Sequence, residues 1–303
     1  MTPASSAFVE RFPVLDGSVG HVRVANDVSL RMIERRPAET DPSLPTIILV
    51  HGLASNARMW DGVARELSTQ NVRTIAVDLR GHGRSDRPTA GYDFATIGTD
   101  LCRLLDDLDI ERAVFVGQSW GGNVVVDLAY RWADRVIGSV AVDGGMIDLR
   151  RTFPEWDDCE RTLQPPRLAG TRASRLEAAI RSMHTDWPES GIVGALSNFE
   201  VLDDGTARPW LPFEMHMIIL RELWEHRPSQ LYPDIERPIL FLPADSGDVA
   251  WTENKDRAVD EALRLLKHGR VHWFRPAHHD VHAQHPVAVA EVLMSNLRDG
   301  FLS

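Results

Sequence analysis

Only two cysteines, Cys102 and Cys159, occur in the 303-residue chain. Two thiols cannot staple a disulfide-framed scaffold, and they fit reduced side chains in a reducing compartment. Basic residues are also scarce, 33 Lys and Arg against 44 Asp and Glu, for a formal net charge of -11. That balance argues against nucleic acid, whose binders need a basic face, and against anionic membrane surfaces. No apolar run approaches the roughly 18 residues of a membrane span. The first 30 residues carry Glu10, Arg11 and Asp16 and lack the apolar centre of a signal peptide. Internal repeats and low-complexity tracts are missing as well. The expectation is a soluble cytoplasmic protein with a small-molecule substrate and no nucleic-acid or membrane partner. A homodimer is allowed by the sequence but not marked in it.

Hydrophobic residues make up 43% of the chain, enough for a large core at this size. Residues 1–20 have no period and read as irregular, either loosely packed or extending a sheet edge. His21–Val24 and Ser29–Glu34 read as two strands of a hairpin around Asn26-Asp27. Thr46–Val50 (TIILV) is apolar and β-branched throughout, as suits a strand buried on both faces. From there strands and helices alternate. Strands are expected at 72–77, 113–116, 136–142, 238–242 and 270–274. Helices are expected at 57–69, 95–108, 121–133, 253–266 and 287–297. Such alternation implies an α/β fold with a mostly parallel sheet covered on both faces.

Residues 145–232 break the rhythm. They hold Trp156, Trp187, Trp210 and Trp224, many prolines, and helical stretches at 172–183 and 215–225, but no convincing strand. The expected organisation is a core of residues 1–144 and 233–303, with 145–232 as a helical cap inserted at the strand ends. Sites form at those ends in α/β folds.

Three motifs carry chemistry. Gly117-Gln118-Ser119-Trp120-Gly121-Gly122 follows an expected strand and opens an expected helix. A nucleophile elbow requires that context: the sharp turn exposes the Ser119 hydroxyl, and the flanking glycines avoid a clash with neighbouring backbone. His51-Gly52-Leu53 directly follows TIILV. The Leu53 N–H, paired with that of Trp120, could form an oxyanion hole. Asp78-Leu79-Arg80-Gly81-His82-Gly83-Arg84-Ser85-Asp86 reads as a stiff hydrogen-bonded loop with His82 in a structural role.

In order and spacing, these three motifs resemble the α/β-hydrolase superfamily, over roughly residues 20–145 and 233–300. The resemblance implies a triad in the chain order Ser, acid, His. Ser119 is then the nucleophile. The run His279-Asp280-Val281-His282 resembles the family's histidine motif and places the base at His279, with His278 standing where a glycine is usual. His278 as the base is the alternative, and His282 is expected to pack nearby. Asp248, after the PILFL strand, fits the family's acid position with one extra residue, whereas Asp245 falls short. Asp143, at the end of the strand at 136–142, is the rival, because some members take their acid there.

Six histidines fall between positions 268 and 285. His278 and His282 have i, i+4 spacing, but Pro286 interrupts a continuing helix and no Glu-rich partner motif accompanies them. Neither a metal nor a cofactor is expected. In the cap, Met215, Met217, Ile218 and Leu220 could line a substrate pocket, or form the cap's own core. Met215 and Ile218 are the expected lining residues. Arg150-Arg151 reads as a solvated pair rather than an anion receptor. Serine, not aspartate, at position 119 argues against the epoxide-hydrolase and haloalkane-dehalogenase branches. The expected activity is hydrolysis of an ester, lactone or related acyl bond of a small to medium apolar substrate. C–C bond hydrolysis, lyase or acyltransferase chemistry on the same fold, or a non-enzymatic ligand receptor, are the alternatives.

Overall fold

The computed structural model describes residues 13, 14 and 16–303. The irregular stretch expected for residues 1–12 lies outside the described residues. A hairpin of β1 (Ser18–Ala25) and β2 (Val28–Arg35) leads into β3 (Ile47–Val50), α1 (Asp61–Thr69), β4 (Thr74–Val77) and α2 (Phe94–Asp107). Then follow β5 (Ala113–Gln118), α3 (Trp120–Arg131) and β6 (Val136–Val142). The next segment holds α4 (Leu149–Thr152), α5 (Trp156–Leu163), β7 (Thr171–Arg172), α6 (Ala173–Met183) and α7 (Glu189–Leu196). It continues through β8 (Phe199–Val201), β9 (Thr206–Pro209) and α8 (Phe213–Glu225). The chain ends with β10 (Ile239–Leu242), α9 (Val249–Leu265), β11 (Gly269–Val271), α10 (Val281–Gln284) and α11 (Pro286–Arg298).

The main sheet has eight strands in the order β1-β2-β4-β3-β5-β6-β10-β11. Only the β1–β2 and β2–β4 pairs are antiparallel. The apolar TIILV run explains the layering. Successive strand side chains point to opposite faces. Ile47 and Leu49 join one core cluster with Trp60, Val63 and Leu67 around α1, and with Leu293 of α11. Ile48 and Val50 join the other with Leu101 and Leu105 of α2 and Val125 of α3. All four strand residues are fully buried. No helix among the described residues is long and apolar enough to cross a membrane.

Strand order decides what meets at the C-terminal edge. Gly117 of β5 pairs with Val50 of β3, and Gln118 pairs with Val142 of β6. Leu242 of β10 also pairs with Val142. The residues just beyond these ends, His51-Gly52, Ser119, Asp143 and Pro243-Ala244, are therefore neighbours. The loop at 78–86 is as stiff as its composition implies. Asp78 accepts hydrogen bonds from the N–H groups of Ala57 (2.7 Å) and Arg84 (3.0 Å) and from Arg31 (3.1 Å).

The segment between β6 and β10 corrects the sequence reading in one respect: β7, β9 and β8 form a small antiparallel sheet. These strands are two to four residues long, too short to imprint an alternating pattern. Helix α7 also went unread. Its buried residues lie on every side (Gly191, Ile192, Val193, Gly194, Leu196), with Gly194 packed against Met59. A helix buried all round shows no amphipathic stripe.

Candidate active site

Ser119 caps α3 immediately after β5, with φ 54° and ψ -121°. A non-glycine residue at positive φ is costly and persists only where its surroundings hold it. Here the Ser119 N–H donates to the Val142 carbonyl (2.9 Å). Close backbone packing does the rest. A Cβ on Gly117 would lie 2.0 Å from the Gly121 carbonyl oxygen, and one on Gly52 would lie 3.2 Å from the Ser119 Cβ. The first motif is thus a compressed turn, and the His-Gly loop abuts the serine. Gly117→Ala forces that backbone apart. It is expected to destabilise the fold by about 3 kcal/mol, read as a fall in thermal midpoint of roughly 6 °C or more.

The His-Gly loop is aimed by two buried histidines. The Leu79 N–H donates to His51 Nε2 (3.0 Å), so Nδ1 carries the proton and donates to the Gly52 carbonyl (2.7 Å). In a trans peptide that turns the following N–H, of Leu53, the opposite way. The neighbouring Ala54 N–H is taken by His82 Nε2 (3.3 Å), whose Nδ1 donates to the Arg80 carbonyl (3.0 Å). Burial pushes the pKa of both imidazoles down, and for His82 the neighbouring His51 adds to it. Both stay neutral, as these roles require. The N–H groups of Leu53 and Trp120 have no hydrogen-bond partner among the described residues. Both residues line the same cavity as Ser119.

His279 follows β11 and reaches the same cavity. Its Nδ1 lies 2.6 Å from Asp143 Oδ2. Desolvation pulls the imidazole pKa down, but the hydrogen bond and charge of Asp143 outweigh it, so the pKa lies above the ordinary 6.5. The Asp143 side chain is fully buried, whereas 53% of the side chain of His279, which lines the cavity, stays accessible. Burial raises the Asp143 pKa, yet hydrogen bonds and charge from His279, with Lys255 and the Ala244 N–H, bring the net shift below the usual carboxylate range. Asp143 has φ 43°. Its turn is pinned at Gly145, whose N–H donates to Asn123 (2.8 Å) and whose carbonyl accepts from the Tyr232 hydroxyl (2.8 Å).

This geometry corrects the acid expected from sequence. The carboxylate on His279 is that of Asp143, not Asp248. Asp248 is exposed in the turn before α9, and its backbone carbonyl accepts from the Thr252 N–H. The strand order explains the difference, since β6 lies beside β5 and delivers the residue just beyond its end, Asp143, next to Ser119. Asp245 turns to Thr252 (2.7 Å) and the Gly247 N–H (2.8 Å). The alternative base, His278, is exposed and its N–H is held by Gln284 (2.8 Å). His282 is fully buried against Trp60, with ring centroids 4.3 Å apart, and burial lowers its pKa to about 4. No group of three or more His, Cys, Asp or Glu that could hold a metal occurs among the described residues.

The cavity measures about 800 Å³. Its wall from α8 is His216, Leu220 and Leu223, not the expected Met215 and Ile218. Helical spacing puts positions 216, 220 and 223 on one face. Met215 instead packs against the core, and Ile218 is 38% exposed. Burial drives the His216 pKa down to about 4, so this wall carries no charge at neutral pH. Arg151 lines the cavity but is committed to Glu261 and Asp148, while Arg150 pairs with Glu225 and stacks on Trp224. Lys255, which no motif flagged, reaches Asp143 from α9. Its only trace in the sequence is the single lysine of a helix that also carries four acids and two arginines.

Residues 47–292 match the model of the alpha/beta hydrolase family. An uncharacterized protein of Mycobacterium tuberculosis is 40% identical over 113 residues, 37% of this chain and 33% of that protein. The chain thus spans about a third of that relative's length. Esterase YbfF of Escherichia coli is 28% identical over 271 residues, 88% of this chain and 98% of that one. Among solved structures, E-2-(acetamidomethylene)succinate hydrolase superposes with a TM-score of 0.76 at 23% identity, covering 93% of this chain and 99% of its own.

Proposed function

Since this chain belongs to the alpha/beta hydrolase family, and is a hydrolase, we propose that it cleaves a carboxylic ester, lactone or related acyl bond through an acyl-enzyme on Ser119. One observation carries this reading: the strained Ser119 turn and the His279–Asp143 pair open into one cavity. Similarity to an esterase along nearly the whole chain supports it.

The chemistry follows from the groups present. A serine hydroxyl is a weak nucleophile at neutral pH and needs a base. His279 Nε2 takes the Ser119 proton as Oγ attacks the carbonyl carbon. Asp143 accepts the Nδ1–H and stabilises the imidazolium that forms. The N–H groups of Leu53 and Trp120 hold the oxyanion, each donor contributing about 3 kcal/mol in enzymes of this kind. Collapse of the tetrahedral species expels the alcohol, protonated by His279. Water then repeats the sequence and releases the acid.

The cavity supports a substrate that is apolar and of small to medium size. Leu53, Trp120, Met146, Leu220 and Leu223 supply apolar wall. Arg151 and Lys255 are both shared with carboxylates, so neither offers an uncommitted charge to an anionic acyl group.

Treatment with a fluorophosphonate, followed by intact mass and peptide mapping, tests the reading without the natural substrate. A single adduct on Ser119, with turnover of short-chain nitrophenyl esters or lactones, is the expected result. Absence of both would overturn it. The His279 pKa supplies a second check. The base works only when neutral, so activity is expected to fall on acidification with a midpoint above 6.5. A kcat/KM profile flat from pH 8 down to pH 5 would contradict His279 as the base.

A further inference from the structure

Lys255 has more to do with Asp143 than neutralise it. Its Nζ lies 2.6 Å from Asp143 Oδ1, 2.8 Å from Oδ2 and 2.7 Å from the Ala244 carbonyl oxygen. An ammonium has three N–H donors, and here three acceptors are in reach. The Ala244 N–H donates to the same carboxylate at Oδ1 (2.9 Å). One residue just after β10, Ala244, therefore grips both partners through its N–H and its carbonyl, fixing the carboxylate plane that His279 meets at Oδ2. The loop in which an acid was expected thus supplies the support for an acid that comes from β6.

We propose that Lys255 is a positioning residue for the acid–base pair: its ammonium shares the Asp143 carboxylate with His279, orients it, and limits how tightly the pair holds a proton. The proposal rests on Ser119, His279 and Asp143 being the reacting set. The physical basis is the balance of charge around the imidazole. Protonating His279 adds a positive charge beside Asp143, which favours it, and near Lys255, which opposes it. Asp280, on the histidine's own loop, also favours the proton, and His282 on α10 stays neutral. Without Lys255 an unshared Asp143 would hold the imidazolium more firmly. The base would then be out of action at pH values where the wild-type protein still works.

The test is the pH dependence of fluorophosphonate labelling at Ser119, with kcat/KM for a nitrophenyl ester alongside. Lys255→Gln removes the charge and keeps a donor. Its acid-side midpoint is expected to move up by about one pH unit. Lys255→Arg keeps the charge, so its midpoint should match wild type while the plateau rate drops a few-fold from poorer fit. A purely structural ion pair would lower stability and plateau rate in Lys255→Gln with an unmoved midpoint, and that result overturns the proposal. So does a displaced midpoint in Lys255→Arg, which applies even if the glutamine variant does not fold. Failure to label wild-type Ser119 at any pH would instead sink the underlying reaction.

Discussion

Alanine at position 119 is expected to abolish fluorophosphonate labelling and to lower ester kcat by about 10⁶-fold, to the level left by binding and the oxyanion N–H groups alone. The fold should survive. The Ser119 side chain makes no hydrogen bond that alanine would break among the described residues, and its N–H bond to the Val142 carbonyl is backbone. The positive φ of 54° is tolerated no worse by alanine than by serine. Thermal midpoints should therefore agree within a few degrees while turnover disappears. That combination separates loss of a nucleophile from loss of structure. Retention of more than a hundredth of wild-type kcat, measured on enzyme free of wild-type carry-over, would remove Ser119 from the reaction. Water activated directly by His279 would then be the remaining route.

The parts of this protein that were legible in its sequence are those fixed by local physics. Four consecutive branched apolar residues in β3, all buried, suit a strand covered on both faces. Gly117 and Gly121 around Ser119 announce a turn too tight for side chains. The cap's pocket face was harder. Choosing His216, Leu220 and Leu223 over Met215 and Ile218 requires the rotational setting of α8. Packing of Leu220 and Trp224 against Leu149, and of Ile219 and Leu223 into the main core, fixes that setting, and no property of the helix alone does so. The short strands β7 to β9 exist through pairing with one another, which no single segment records.

The hardest choice in the sequence was the acid, and it carries the second large effect. Asp143→Asn is expected to lower kcat by about 10⁴-fold, while Asp248→Asn stays within about twofold of wild type, as an exposed substitution away from the cavity should. Both aspartates follow a core strand and lie near a glycine, so composition cannot separate them; the neighbours of each do. The orientation of the new amide at 143 is dictated from the side opposite His279. Lys255 and the Ala244 N–H both present donors to Oδ1, so the amide oxygen turns to them and its NH₂ faces His279 Nδ1. That nitrogen must then act as an acceptor, which places the ring proton on Nε2. Ser119 then meets a nitrogen that already carries a proton, and general-base attack stops although nearly every atom is in place. The loss should ease as pH rises only insofar as hydroxide replaces the base, and it should not be rescued by tighter substrate binding. KM is expected to change little, because Asp143 is buried behind the histidine. A tenfold loss in Asp248→Asn with an active Asp143→Asn would reverse the assignment and require the turn before α9 to swing toward His279.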